Sequence, residues 1–415
     1  MELKPYPKYK DSGVEWLGEI PEGWEVKRLR FLANIRKGKK PDENDESIDG
    51  LPYLTMDFLR GQQEPTYYMP SQESIIIENG EILLLWDGAN AGEFVDGRKG
   101  ILSSTMARVS FDIHKCHSKY CFYFLKAFEK LLRELTIGMG IPHVSGNIVK
   151  DCITPVFSIQ HQQSIANFLD QKTTKIDELI KKNKRLVELL KEKRQAIISN
   201  AVTKGLDPKA KMKDSGIEWI GEIPEGWEVK RLKYAVRLIN EKTEDVDSYE
   251  LRIALENIEG FTGKLIDGCS SFEGGGSSFR KGDVLFNKLR PYLCKAVLTP
   301  QDGIAVGELL VFRPNEYLDG RFLFYRVLSS DFVSVVNGST CGAKMPRASW
   351  EFIGNLKISL PSIDEQQAIA NFLDQKTAKI DDLTQTIQSQ IETLKEYRQS
   401  LISNVVTGKI KVIES

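Results

Sequence analysis

No stretch of this chain stays apolar for the roughly 18 residues that a membrane-crossing helix needs, and its first residues, MELKPYPKYK, lack the apolar core of a secretion signal. A cytoplasmic protein with no membrane partner is expected. Cysteine is sparse: Cys116, Cys121, Cys152, Cys269, Cys294 and Cys341 are scattered over 415 residues, which excludes a dense disulfide framework and makes reduced thiols the expectation. Histidine is sparser still, with four residues and no evident triad. The chain has no Gly-x-x-x-x-Gly-Lys-Ser/Thr loop, and no Gly-rich cofactor loop with an Asn/Asp-Pro-Pro-aromatic motif. A nucleotide-driven motor and an adenine-modifying enzyme are thereby excluded on motif grounds, and a non-enzyme is expected. A surplus of one charge is also missing, since 57 basic residues face 58 acidic ones. That balance does not favour nucleic acid as a partner, because phosphate neutralisation needs lysine and arginine. Local charge matters more, and residues 27–40 (KRLRFLANIRKGKK) and 181–194 are locally basic, although such a run alone is more often a solvated face.

What is present is a soluble globular composition, 41% hydrophobic and 28% charged, on a chain long enough for two or three cores. It is written twice. Residues 10–31 read KDSGVEWLGEIPEGWEVKRLRF and residues 213–234 read KDSGIEWIGEIPEGWEVKRLKY. Further on, residues 162–179 (QQSIANFLDQKTTKIDEL) match residues 366–383 (QQAIANFLDQKTAKIDDL). Between these blocks lie two inserts, 32–155 and 235–360, that share only a skeleton: EILLLW at 81–86 resembles DVLFN at 283–287, and residues 137–144 sit where 340–346 sit. A frame that is kept while its inserts diverge implies that the frame assembles something common and the inserts discriminate between different targets.

The second frame block opens with a capping box, in which Ser362 caps a helix and Glu365 reaches back; in the first copy Ser158 keeps the cap while His161 replaces the acid. From each cap an amphipathic pattern runs for roughly 40 residues, or roughly 60 Å, which is long for a globular helix and suits a coiled coil. One seam reads Ile165, Leu169, Ile176, Leu179, Asn183, Leu186, Leu190, Ile197; the other reads Ile369, Leu373, Ile380, Leu383, Ile387, Gln390, Leu394, Tyr397, Leu401. A single stripe ordinarily packs on its own domain, whereas two this long are expected to bury each other. An antiparallel pair is the simplest closure, with Leu179 near Leu394, Leu190 near Leu383 and the polar pair Asn183 and Gln390 facing. The expected fold class is α+β, with two globular recognition domains (1–155 and 205–360) joined by two long helices (156–204 and 361–408) that form an antiparallel coiled coil, in an internal pseudo-two-fold duplication.

Each insert mixes strand-like runs, short helices and polar loops. In the second, residues 287–295 (NKLRPYLCK) interleave an amide, cations and an aromatic, so Asn287, Lys288, Arg290, Tyr292 and Lys295 are candidates for reading base edges and holding phosphates, with Lys344 and Arg347 from the loop that closes the insert. In the first, the matching candidates are Trp86, Asn90, Arg98, Lys99, Ser104 and Thr105, with His143, Ser145 and Asn147 from its closing loop. For any one of these a plain surface role is about as common; it is the concentration of divergence in the loops that points to DNA. His114, Cys116, His117 and Cys121 carry zinc-binding chemistry, but their spacing fits no familiar finger, and residues 314–321 of the second half hold neither residue type. A turn leading into an apolar run is the preferred reading, and no metal is expected.

The paired GEIPEGWEV segments (18–26 and 221–229), the paired QQxIANFLD blocks and the twin inserts resemble the specificity subunit of type I restriction-modification systems, over essentially the whole chain. The resemblance implies a non-catalytic subunit of a host-defence complex, whose two target-recognition domains each read one half of a split, asymmetric site in double-stranded DNA. It implies that the helices act as spacer and as dock for two methyltransferase subunits, that restriction subunits join them, and that S-adenosylmethionine, ATP and magnesium belong to those partners. The acid-rich stretch 41–49 departs from this, being a poor phosphate neighbour. The rival is a coiled-coil scaffold whose inserts bind proteins.

Overall fold

The computed structural model describes residues 4–136, 142–243, 249–266, 275–342 and 344–412; Cys269 and the start of the first closing loop, 137–141, lie outside them. The chain forms two compact units, one of residues 1–182 with 390–415 and one of residues 183–389, and both long helices pass from one unit into the other.

The first unit opens with a hairpin, Tyr9–Asp11 against Glu19–Pro21. Trp24 then stacks on Phe157 with ring centroids 3.9 Å apart, and strand Glu25–Arg28 pairs with Ile153–Val156, the strand that feeds the long helix. The insert is built on an antiparallel sheet ordered Ala33–Lys37, Met106–Phe111, Ile82–Leu85, Phe94–Asp96. Ile82–Leu85 is buried at every residue, as its unbroken apolar run requires, whereas the edge strand Ala33–Lys37 buries none fully. Helix Ser118–Glu134 contributes Tyr120, Phe124, Leu125 and Phe128 to the core. In the same helix region Cys116 and Cys121 are buried while His114 is exposed, and among the described residues no three His, Cys, Asp or Glu side chains converge as a metal site. A second sheet sets Gly100–Leu102 between Glu46–Leu54, parallel to it, and Ile76–Ile77, antiparallel to it.

The second unit repeats the plan strand for strand: Val236–Ile239, Leu309–Pro314, Val284–Asn287 and Ala296–Leu298 in the same order, with Glu228–Arg231 on Lys357–Leu360. Its second sheet again centres on one strand, Gly303–Ala305, between a parallel neighbour, Leu251–Ile253, and an antiparallel one, Gly276–Phe279. The inserts part company at the edges of this sheet. The extra strand Lys242–Thr243 adds beside the antiparallel neighbour, whereas in the first unit Tyr67–Tyr68 adds beside the parallel one.

The long helices run over Ile159–Lys204 and Ile363–Val406. Ser362 Oγ accepts from the Glu365 amide at 3.3 Å, but the Glu365 carboxylate does not close the box; it accepts from Trp227 Nε1 at 3.0 Å. His161, in the same place, meets the Tyr6 hydroxyl at 3.0 Å beside the Trp24 ring. Trp24 and Trp227 are thus both buried at equivalent places, as the duplication requires. Each helix ends on a left-handed glycine, Gly205 or Gly408. Gly408 also allows close approach: a Cβ there would lie 2.4 Å from Pro21.

The helices pack antiparallel. In the first unit Arg398 Nε lies 2.9 Å from Asp177 Oδ1, and in the second Arg194 Nε lies 2.9 Å from Asp381 Oδ1. Moving 17 residues forward on one helix moves 17 back on the other. Most of the expected seam is buried, Ile165, Leu169, Ile176 and Leu190 on one helix and Ile369, Leu373, Ile380, Ile387 and Leu401 on the other. But Leu179 and Leu186 give way to their neighbours Ile180 and Val187, and Leu383 and Tyr397 are exposed while Ile391 is buried. Asn183 is half-buried and Gln390 exposed, so neither plays the buried polar role assigned to it. The phase is set by buried threonines. Thr173 meets the Tyr123 hydroxyl at 3.0 Å and Thr377 meets that of Tyr325 at 3.2 Å, and steps of three and four from these positions lead to Ile180 and Ile387.

Candidate nucleic-acid interface

In each unit, the central buried strand runs out into a loop that is tied to the closing loop of its insert by the same backbone bonds. In the first, the Val144 amide donates to Trp86 O (2.9 Å), the Gly88 amide to Pro142 O (3.0 Å) and the Trp86 amide to Thr105 O (2.8 Å). In the second, the Ala348 amide donates to Lys288 O (2.9 Å), the Arg290 amide to Pro346 O (2.7 Å) and the Lys288 amide to Glu308 O (3.0 Å). Asp87 bridges His143 as Leu289 bridges Arg347. These bonds equate positions: Trp86 with Lys288, Gly88 with Arg290, Asn90 with Tyr292, Thr105 with Glu308, His143 with Arg347. The scaffold is common, and the chemistry it displays is not.

The first loop cluster gathers Trp86, Asn90, Ser104, Thr105 and His143. Trp86 is half-buried because Gly146 lies beneath it, where a Cβ would come within 3.2 Å of the indole. Ser104 is held through its amide by the Tyr53 hydroxyl (2.8 Å), while Asn90, Thr105 and His143 are exposed. Lys37 Nζ sits 2.7 Å from Asp87 Oδ2 and caps one side of the cluster. Ser145 is the residue before the short helix Gly146–Asp151, and Asn147 is exposed within it. Arg98 and Lys99 are exposed but not part of this cluster. They follow Phe94–Asp96, whose end pairs with Ile82, at the far end of the central strand from Trp86.

The second cluster gathers Lys288, Arg290, Tyr292, Lys344 and Arg347, a cationic set around Glu308; Arg347 Nη2 donates to Glu308 Oε1 at 2.8 Å. Two of the expected contact residues lie elsewhere. Asn287 is fully buried; its amide nitrogen donates to Leu289 O and Arg290 O, both at 2.9 Å, and its oxygen accepts from the Lys295 amide at 2.9 Å. It shapes the loop from beneath, because a polar side chain at the end of an apolar strand is wanted for turning carbonyls. The Lys295 ammonium is held by Leu255 O at 2.6 Å. Burial pushes the Cys294 thiol up to about 12, so this cysteine is a neutral packing group. Lys37, Asp87 and Glu308 were not singled out from the sequence. Aligning the two copies through the backbone bonds above brings out Asp87 and Glu308, and the ion pair with Asp87 brings out Lys37.

The family model describing the type I restriction modification DNA specificity domain matches residues 21–189 and again 275–393. The chain belongs to that family of specificity subunits. It is 32% identical over 413 residues to the type I restriction enzyme MjaVIII specificity subunit of Methanocaldococcus jannaschii, covering 95% of this chain and 94% of that protein. It is 20% identical over 414 residues to the EcoDI specificity subunit of Escherichia coli, covering 95% and 90%. Among solved structures, a chain from work on the complex assembly and conformational transition of the type I R-M system superposes with a TM-score of 0.70 at 15% identity, covering 93% of this chain and 98% of that one. The HsdS subunit from Thermoanaerobacter tengcongensis gives 0.51 at 15% identity, covering 94% and 98%. At such identities the likeness is one of fold.

Proposed function

We propose that this specificity subunit reads a split, asymmetric site in double-stranded DNA, one half through each loop cluster. It carries no catalytic centre of its own and docks two methyltransferase subunits and, with them, restriction subunits. The observation that carries the reading is the pair of loop clusters, held by the same backbone bonds yet displaying Trp86, Gly88, Asn90 and His143 in one unit and Lys288, Arg290, Tyr292 and Arg347 in the other. A protein that reads two different half-sites needs that combination: rigid placement, and different donors and acceptors at the placed positions. S-adenosylmethionine, ATP and magnesium would be held by the partner subunits, in the cytoplasm. Support for docking comes from the outward leucines, Leu179 in the first unit and Leu186, Leu189 and Leu383 in the second, which stand exposed on the long helices at spacings that suit a partner helix.

The test is selection from random duplexes by the complex of this chain with its methyltransferase subunits. The expected result is two short motifs separated by a fixed gap, bound with an affinity that falls steeply with salt. A complex that assembles but selects no sequence would favour the protein-binding scaffold instead.

A further inference from the structure

Three non-glycine residues in the described chain have left-handed backbones, and two of them, Arg290 (φ 50°) and Cys294 (φ 48°), bracket the tip of the second loop cluster. The equivalent positions of the first unit are Gly88 (φ 114°) and Gly92 (φ 95°). The turn is therefore a property of the shared scaffold. Glycine adopts it without steric cost, while a side chain there is uphill because its Cβ crowds the neighbouring carbonyl. The second unit holds an arginine in it nonetheless. Its backbone is fixed on both sides: the Arg290 amide donates to Pro346 O at 2.7 Å, and its carbonyl accepts from the buried Asn287 side chain at 2.9 Å. The side chain is exposed, and its guanidinium touches the Lys344 carbonyl only at the long distance of 3.4 Å. Arg347, two residues from an exposed Met345, is by contrast already engaged by Glu308.

We infer that Arg290 reads a guanine in the half-site bound by the second unit, an inference that rests on the DNA-reading function proposed above. A guanidinium presents two parallel N–H donors that match the O6 and N7 acceptors of guanine in the major groove, and it needs a stem of fixed direction to do so. A phosphate contact makes no such demand, since an ammonium or guanidinium on an ordinary backbone serves it. A strained residue braced from below and above suits a contact whose direction matters, and such residues concentrate where a ligand is held.

The experiment compares the methyltransferase-bound complex carrying the unaltered chain, Arg290→Gly and Arg290→Lys in selection from random duplexes, with thermal melting of each chain. The unaltered complex is expected to require guanine at one position of one half-motif. Arg290→Gly and Arg290→Lys should each relax that position by about tenfold or more, leave the other half-motif as it was, and in the glycine variant melt at the same temperature or higher because the strain is gone. The inference is overturned by a half-motif whose guanine preference survives either substitution, or by a uniform loss of affinity for all sequences with a shallower salt dependence, which marks a phosphate contact. An unaltered complex that selects no sequence at all overturns the DNA-reading function itself, so the two failures are told apart.

Discussion

Asn287 illustrates how burial, which residue type does not reveal, decides what an amide can touch. An amide beside lysine and arginine suggests a base contact, yet this one has no exposed surface and uses its nitrogen on two carbonyls and its oxygen on one amide of the loop it supports. Replacing it by alanine removes all three bonds and takes the side-chain partner from Leu289 O and the Lys295 amide, while Arg290 O keeps the Leu293 amide. The expected loss is about 2–3 kcal/mol of stability, measured by urea denaturation, together with relaxed selection at the second half-motif and none at the first. Loss of stability with unchanged base selection would show that the loop keeps its shape without it. A different residue-scale contrast lies in the duplicated frame: Trp219 packs under the guanidinium of Arg326 at 4.9 Å, while Trp16 packs on Phe124 at 5.7 Å. The duplicated tryptophans are plain in the sequence; what they pack on belongs to the diverged inserts and is not.

At the scale of elements, equivalent helices are finished differently in the two copies. Asp319 caps Gly320–Leu328 by accepting from the Arg321 and Phe322 amides, at 2.9 and 3.1 Å, whereas His117, at the same place before Ser118–Glu134, makes no cap and has a buried Nδ1 with no partner. Burial holds the His117 imidazole below the usual histidine range. The unfolded chain therefore takes up the proton first as the pH falls, so the contribution of the neutral ring is complete above about pH 6.5 and is lost as the pH drops below it. His117→Asp is expected to add about 1 kcal/mol near neutral pH by supplying the cap and to flatten the acid limb of a melting-temperature profile. The coiled-coil phase gives a second test. Ile180→Ala should cost roughly 2–3 kcal/mol as a cavity, while Leu179→Ala should stay within about 0.5 kcal/mol; equal losses in chemical denaturation would return the seam to the phase read from the sequence. The sequence allows either phase there because Leu179 and Ile180 are adjacent and both apolar, and the burial of Thr173, seven residues before Ile180, decides between them.

For the whole molecule, the helices carry the prediction. Inserting one heptad after Lys182 and one after Glu392 keeps the Asp177–Arg398 pair on one side and the Arg194–Asp381 pair on the other, and lengthens each helix by roughly 10 Å. The preferred gap between half-motifs should grow by up to about 3 base pairs, less if the added twist turns the units away from the groove, and the base identities should stay as they were. Selected duplexes with an unaltered gap would mean that the helices do not set the spacing. The sequence by itself determined the duplication, the two long amphipathic helices and the division between constant frame and variable insert, because repeated words and a heptad stripe are local in the chain and survive without coordinates. Only the tertiary structure decided which loop residues stand together, that Arg98 and Lys99 are at the wrong end of a strand, and that Asn287 is buried. Those facts depend on which strand ends meet across the sheet, and contacts between residues far apart in sequence leave no periodic trace in it.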